Sequence, residues 1–561
     1  MISSDQTNLL HAFQNASEEQ LIRHLDMMVL SMGEPAFCEM SAGHLVALAR
    51  PERAMPDSLV RFGPMVRDGI VSFLSQISYP RLRKAILSQA KLQADSETGE
   101  RLLDLALHFP TLHKFGQIIA RNPGLDPKLK RWLIHLEKGH YHTDISELVQ
   151  PLVGWLAGVD LTHKVSLADD ILAEASVSAV LPFTCQTKEL EGASGGVFKL
   201  LKPNIEAHLL EELLVLEDVA GFFENNRETY GLQDMMVVDL FNEVRDDLVR
   251  EIDLAAEQKN MAEAAEIYCS LDGVRIPKLF SFCTPTITSM EFIDGIGITD
   301  TEISQDQRKA LANLTFEAII CMPLFSMKET ALFHGDPHAG NILAVPGKSS
   351  DDFGIALIDW TLAGHLTRNQ RSRIMEMMVG IRTDNVKRIC EAIRLITNGT
   401  GPKSTPERIK ECVAGFIALK DHQSDPLKMA FKLMAELTME GLVVPSELIL
   451  FRKAFFTLEG VLADISPGFS MAETMENYLG RLLLKEIPLR VTTGFLPIPD
   501  RSLNYRSLLS NQTLGDLTFH EAVSAWHKAM MTNSSLIGIQ TKMMTDFLSC
   551  LYGGHIFRNR G

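Results

Sequence analysis

A chain of 561 residues is longer than one ordinary domain and predicts two to four of them. Hydrophobic residues at 46% and charged residues at 22% match a globular average and exclude wholesale disorder. With 54 Lys and Arg against 71 Asp and Glu, the net charge of −17 lacks the electrostatic footprint of a nucleic-acid binder, so no nucleic-acid partner is expected. The 8 cysteines are scattered singly with no CxxC pair, which argues against a zinc ribbon or disulfide framework and fits a reducing, cytoplasmic compartment. The start, Met1-Ile2-Ser3-Ser4-Asp5, shows neither the basic nor the apolar region of a secretory signal. No stretch reaches the roughly 18 apolar residues of a membrane span. The best stretch near the C-terminus, Ser535–Leu551, is interrupted by Gln540, Lys542 and Asp546, so any membrane association is expected to be peripheral, on an inner face.

In chain order, residues 1–100 predict helices separated by Pro51, Pro56 and Pro64. A mildly basic amphipathic stretch, Ile70–Lys91 with Arg81, Arg83 and Lys84, reads either as a peripheral membrane contact or as a packed helix pair broken at Pro80. The centre changes character. Gly192, Gly195 and Gly196 precede Val197-Phe198-Lys199-Leu200-Leu201, an apolar run that predicts a buried strand bearing one lysine. Helical patterns follow over Ile205–Glu224 and, as one continuous run, Val237–Tyr268. Arg275–Phe280 and Thr286–Ile293 predict two strands joined by a Cys-Thr-Pro turn. From Thr367 to about Met475 the pattern is helical again, and the last 85 residues or so are helical but less regular. Strands enclosed by helices predict an α+β core with helical extensions.

The chemistry-bearing stretch is His334-Gly335-Asp336-Pro337-His338-Ala339-Gly340-Asn341, followed eighteen residues later by Asp359 in Ile358-Asp359-Trp360. Phosphoryl transfer needs a carboxylate near the attacking oxygen and hard oxygen ligands for Mg²⁺. Asp336 supplies the first, Asn341 and Asp359 the second. Lys199, a cation on an apolar strand, requires phosphate oxygens or a carboxylate, and Glu257 is its candidate partner. On one continuous helix Asp253 and Glu257 share a face while Glu251 points away.

These motifs resemble the UbiB (AarF) family of atypical protein-kinase-like proteins. Lys114-Phe115-Gly116-Gln117 is similar to its KxGQ hallmark, with the helical context continuing through Pro123, Leu125 and Pro127. Ala173-Glu174-Ala175-Ser176 resembles its alanine-rich nucleotide loop, Lys199 its strand lysine, Glu251-Ile252-Asp253 with Glu257 and Asn260 its ExD helix, and Val444-Pro445 with Thr457–Val461 its C-terminal helical segment. The resemblance implies a two-lobed, predominantly helical kinase-like fold with a KxGQ extension before it and a helical extension after it. The expected parts are 1–100 (helical region), 101–165 (KxGQ extension), 166–293 (N-lobe), 294–480 (C-lobe) and 481–561 (helical region). It also implies ATP and Mg²⁺, with Asp336, Lys199 and Glu257 catalytic and Asn341 and Asp359 on the metal. Lys199, Ala173, Ala175, Ser176, the Glu291 and Ile293 hinge, Lys114, Gln117 and Glu251 then surround the nucleotide. Lys114 is expected to meet Glu251 or Asp253. The function implied is ATPase or phosphoryl transfer in support of isoprenoid-quinone biosynthesis, with isoprenoid lipid or quinone-biosynthesis enzymes as partners.

The likeness has departures. Trp360-Thr361 stands where the family has Phe-Gly, so switching of that loop is in doubt. Asp352-Phe353-Gly354 spells DFG but precedes the apolar strand and is read as a decoy. Glu174 intrudes among the alanines and is expected to point outward, and Ala179 sits where the family often has glutamine. Two other functions fit the same residues. The HGD and IDW spellings are similar to aminoglycoside and choline phosphotransferases, against which KFGQ and the LEGV segment stand. A nucleotide-binding pseudokinase scaffold is the other, against which the retention of Lys199, Asp336, Asn341 and Asp359 stands.

Overall fold

The structure is a computed structural model, and it describes residues 17–55, 57–93, 95–120, 145–158, 165–185, 195–232, 237–347, 352–397, 405–419, 425–439, 441–495 and 500–532. Pro123, Leu125, Pro127, Gly192 and the Ser535–Leu551 stretch lie outside the described residues, as does the side chain of Gln117. The chain forms two compact units, one of residues 1–302 and 338–363, the other of 303–337 and 364–561.

The first unit begins with α1 (Glu18–Met32), α2 (Glu34–Ala49), α3 (Gly63–Gln76), α4 (Tyr79–Lys91), α5 (Thr98–His108) and α6 (Pro110–Ala120). These helices bury a common core with α8 (Ile205–Asn225) and α9 (Val237–Ile252), while α7 (Ile145–Gly158) lies apart from it. Phe37, Leu74, Leu82 and Phe109 from the N-terminal helices meet Leu209, Phe223, Val244 and Leu248 there, so the N-terminal region is built onto the helices that follow the lysine strand. The basic stretch is absorbed into this packing. Arg81, on α4, pairs with Glu211 at 3.0 Å and with the fully buried Glu212, and Arg83 pairs with Asp26 at 3.1 Å. Two of the three cations read as a membrane contact are therefore engaged inside the unit.

A five-stranded sheet follows, in the order β1 (Val165–Leu167), β3 (Ser178–Cys185), β4 (Gly196–Leu201), β6 (Ile287–Glu291), with β2 (Ala173–Glu174) pairing on β3. Its apolar face packs Ala179, Leu181, Phe183, Phe198 and Leu200 against Leu148, Leu152 and Leu156 of α7. The expected Arg275–Phe280 strand shrinks to β5 (Val274–Arg275) plus a single bridge from Leu279 to Met290. Pro277 has no N–H to donate to a ladder, which limits the pairing there. A second sheet joins β5, β10 (Phe353–Leu357), β9 (Ile342–Pro346) and β7 (Ile296–Gly297).

The long helix expected from Val237 to Tyr268 is two helices. α9 stops at Ile252 and α10 (Leu254–Tyr268) begins afresh, with Asp253 as its cap, accepting the Ala256 amide at 2.9 Å. A capping carboxylate offers the backbone an alternative to helix continuation, and here it prevails.

The second unit carries α11 (Gln305–Phe316), a π-helical turn at Glu317–Cys321, and the paired strands β8 (Thr330–His334) and β11 (Ala363–Thr367). The helical C-terminal part follows: α12 (Arg368–Arg382), α13 (Val386–Ile396), α14 (Pro406–Leu419), α15 (Pro426–Met439), α16 (Ser446–Ile465), α17 (Met471–Phe495) and α18 (Asn511–Thr532). Phe333, Phe431 and Phe451 form edge-on aromatic contacts at its core. Buried Arg371 donates to the backbone carbonyls of Thr367, Ser326, Lys328 and Glu329, and Arg368 to those of Ser326, Leu503 and Tyr505, so two cations stitch β8, α12 and the segment before α18 together. Among the described residues no helix is long and apolar enough to cross a membrane.

Glu212 does more than neutralise Arg81: its second oxygen accepts the Thr111 amide at 2.8 Å, at the start of the helix that carries Lys114. Breaking a buried pair leaves an uncompensated charge, which costs about 3–5 kcal/mol. We therefore expect Glu212→Ala to lower unfolding stability by that amount in chemical denaturation; a loss below about 1 kcal/mol contradicts the assignment, since that is the worth of an exposed pair.

Candidate functional site

Lys199 stands at the middle of β4, in register with Val180 on one side and Thr288 on the other. Its side chain is 9% exposed, so the ammonium is largely shielded from water and must be matched by charge. It donates to both carboxylate oxygens of Glu257 at 2.8 and 2.9 Å, lies 3.4 Å from Oδ2 of Asp359, and reaches Oγ1 of Thr361 at 3.4 Å. Burial alone pushes the ammonium down. The charges of Asp359 and Glu257 outweigh it and hold Lys199 above the ordinary lysine range, so it remains a cation at physiological pH. Glu257 lies in the first turn of α10, where the helix dipole favours a carboxylate. The break at Asp253 removes the shared-helix argument that put Asp253 and Glu257 on one face.

Asp359 follows β10, the apolar strand, and takes φ 57°, a left-handed conformation that Asp adopts more readily than bulkier residues. Its Oδ1 accepts the Thr361 amide at 3.2 Å. Trp360 is fully buried, tilted against Tyr268 of α10 with ring centres 6.0 Å apart. Its indole N–H donates to the Leu357 carbonyl at 3.3 Å, and its own carbonyl accepts from Asn260 at 3.1 Å. The positive φ falls on Asp359 itself while Thr361 stays outside that region, so the absent glycine carries no backbone demand here. Trp360 and Thr361 were legible only as departures; their contacts make them anchors of the loop. The DFG spelling at Asp352 opens β10 instead of following it, and its glycine has a packing reason: a Cβ at Gly354 would stand 2.6 Å from the Gly273 carbonyl oxygen.

Asn341 ends a short 3₁₀ turn, Ala339–Asn341, capped by His338, whose Nδ1 accepts the Gly340 amide at 3.0 Å. A Cβ at Gly340 would stand 2.9 Å from that imidazole, which explains the glycine between them. The Asn341 carbonyl accepts the Ile358 amide at 3.0 Å, tying this turn to the residue before Asp359. Asp336, five residues upstream, belongs to the second unit. There its amide donates to Nδ1 of the buried His334 at 3.2 Å, at the end of β8.

A second charged cluster joins the KxGQ helix to the alanine-rich loop. Lys114 donates to Oε1 of Glu251 at 2.6 Å and lies 3.7 Å from Asp247. The other Glu251 oxygen accepts the Ser176 hydroxyl at 2.5 Å. Glu251 is thus the residue Lys114 meets, and Asp253 is occupied as a helix cap. Ala173 pairs with Val180, which pairs with Lys199, so Ala173 shares the Lys199 face of the sheet. Ala175 turns the loop by donating its amide to the Ser178 carbonyl. At the expected hinge, the Glu291 amide donates to the Lys278 carbonyl at 2.8 Å and the Phe292 amide to Gly195 at 3.1 Å, so both are committed within the protein. The Glu291 carboxylate pairs with Arg275 at 2.7 Å, and Ile293 is buried against Val345 and Ala356. Glu174 does not point outward. It is buried and paired with Lys202 at 2.7 Å.

The donor set fits a hard cation accompanied by phosphate. Among the described residues no cluster of three or more His, Cys, Asp or Glu side chains forms a complete metal cage. Asp359 is the accessible carboxylate of its cluster, at 40% exposure against 1% for Glu257. One carboxylate and the Asn341 amide oxygen leave most of a Mg²⁺ shell to phosphate oxygens and water, the arrangement that ion favours. Asp359 and Asn341 would hold it, and when bound the ion would neutralise charge on the phosphates.

Removing the ammonium isolates Glu257 in the core. Lys199→Met is expected to destabilise the protein by about 3–5 kcal/mol in chemical denaturation, and Lys199→Met/Glu257→Leu to recover most of that loss. If the double variant is as unstable as the single, the buried pair does not dominate this site.

Residues 166–393 match the ABC1 atypical kinase-like domain. The chain is 25% identical to protein ACTIVITY OF BC1 COMPLEX KINASE 1, chloroplastic, of Arabidopsis thaliana over 395 residues, 67% of this chain and 54% of that relative. The chain therefore spans about half the length of that protein. It is 22% identical to a probable protein kinase UbiB of Actinobacillus pleuropneumoniae over 432 residues, covering 75% of this chain and 78% of the relative. With the probable protein kinase UbiB of Histophilus somni it shares 25% identity over 334 residues, 58% of this chain and 59% of the other. Residues 166–393 thus carry an ABC1 atypical kinase-like domain, and the chain is similar over much of its length to probable UbiB protein kinases and to an ACTIVITY OF BC1 COMPLEX KINASE protein.

Proposed function

We propose that this protein binds ATP with Mg²⁺ and catalyses ATP hydrolysis or phosphoryl transfer. The observation that carries this reading is the Lys199 ammonium held by Glu257 inside the sheet, with the more exposed Asp359 beside it. A buried lysine fixed by a carboxylate on a neighbouring helix is a positioned cation for phosphate oxygens, and such positioning, with electrostatic stabilisation, is most of what phosphoryl transfer requires. Glu257 orients the ammonium, and Asp359 and Asn341 are assigned to the ion. Ala173, Ala175 and Ser176 form the loop over the phosphates. Asp336 is assigned the carboxylate that takes the proton of the attacking hydroxyl or water as the new phosphorus–oxygen bond forms and the bond to the leaving phosphate breaks. Lys114 and Gln117 of the N-terminal extension are assigned to nucleotide binding, Lys114 through Glu251.

The resemblance to UbiB supports a role in isoprenoid-quinone biosynthesis or related lipid handling, with a lipid or an enzyme of that process as partner. The absence of a membrane-spanning helix among the described residues is compatible with peripheral attachment on the cytoplasmic side.

Thermal unfolding with and without MgATP tests the reading. Nucleotide at about a hundred times its Kd should add roughly 2.7 kcal/mol of stability. Asp359→Asn is expected to lose the magnesium-dependent part of the shift, and its ATP turnover should fall about a hundredfold or more, in the range set by loss of one transition-state charge contact. A wild-type protein with a full shift but turnover no higher than Asp359→Asn would be a nucleotide-binding scaffold; no shift at all would overturn the proposal.

A further inference from the structure

Glu174 and Ala179, the two positions at which the loop departs from the family pattern, stand directly opposite each other. Glu174 on β2 is the cross-strand partner of Ala179 on β3, and Ala179 is the partner of Leu200 on β4. Cross-strand partners share a face of the sheet, so Glu174 lies on the Ala179–Leu200 face, opposite to the one that carries Ala173, Val180 and Lys199. The Glu174 side chain is 3% exposed and pairs at 2.7 Å with Lys202, the residue immediately after β4, itself only 18% exposed. Ala179, the cross-strand partner of Glu174, is itself fully buried. The main chain runs in parallel: the Lys202 amide donates to the Val177 carbonyl at 2.9 Å, and the Ala175 amide to Ser178 at 2.8 Å. At its other end the loop is held by the Ser176–Glu251 bond.

We propose that the Glu174–Lys202 pair is a latch that positions the alanine-rich loop. It anchors the β2–β3 hairpin to the strand that carries Lys199, from the far side of the sheet, so that loop position is set without placing a negative charge near phosphates. Glu174 and Lys202 are positioning residues and touch no reacting atom. The link between the latch and nucleotide affinity rests on the function proposed above, whereas the latch itself does not.

The test uses the full-length chain and two readouts. Hydrogen–deuterium exchange over Ala173–Ser178 and at Lys202 reports loop closure without any ligand, and calorimetric titration with MgATP reports affinity. Glu174→Gln and Lys202→Met are each expected to speed exchange in that segment about tenfold, the loss of one charge-assisted bond, and to weaken MgATP binding severalfold. Lys202→Arg, which keeps the cation, is expected to stay near wild type in both, and exchange in the α15–α16 region should be unchanged in all three, which identifies folded protein. Unchanged exchange in folded Glu174→Gln and Lys202→Met overturns the latch. Faster exchange with unchanged affinity overturns its bearing on the nucleotide. Faster exchange in a protein whose wild type binds no MgATP leaves the latch standing and overturns the proposed function instead.

Discussion

An ammonium group on a buried strand is stable only if negative charge comes to it, and the requirement is severe because isolated charges in a low-dielectric interior cost many kcal/mol. Here the matching charges come from two different parts of the first unit. Glu257 is delivered by the first turn of α10 and Asp359 by the loop after β10. Much of the local architecture serves those deliveries: the Asp253 cap starts α10 one turn before Glu257, the left-handed turn at Asp359 aims its carboxylate, and Trp360 pins the loop by filling the core behind it. Without the ammonium these features have no common purpose.

The central elements were legible because their physics is local. An apolar run interrupted by one lysine predicts a buried strand with a charge to be matched, and an Asp just past a second apolar run predicts a strand-end ligand. Both lie where those patterns put them, in β4 and after β10. What the sequence hid depends on register or on competition. The helical pattern of Val237–Tyr268 runs straight through Asp253, and nothing in it says that the Asp253 side chain will cap a new helix. The burial of Glu174 depends on Lys202, twenty-eight residues away, and on a strand register that brings them together; repulsion from the expected phosphates was what pointed the carboxylate outward. For Arg81 the sequence left a membrane contact and a packed helix pair both open, and pairing with Glu211 and Glu212 of α8 favours the second. The meeting of Lys114 with Glu251 was expected from the family resemblance as one of two choices, and the break at Asp253 decides between them.

The N-terminal helices are part of the same mechanical system. Glu212 binds Arg81 and the first turn of the helix bearing Lys114, Lys114 binds Glu251, and Glu251 binds Ser176 of the alanine-rich loop. A continuous run of charge-assisted contacts therefore leads from a helical region outside the matched domain to the loop expected to cover a nucleotide. Each such bond is stronger than a neutral one and geometrically exacting, so the loop's position is set from both ends.

Lys199 is proposed as the cation that meets nucleotide phosphates. An acyl-phosphate derivative of ATP, which transfers its acyl group to an amine lying against the bound phosphates, tests it directly when the modified peptide is mapped by mass spectrometry. Modification is expected at Lys199, suppressed by excess MgATP. Labelling that falls on other lysines while sparing Lys199, or that MgATP fails to suppress, would contradict it.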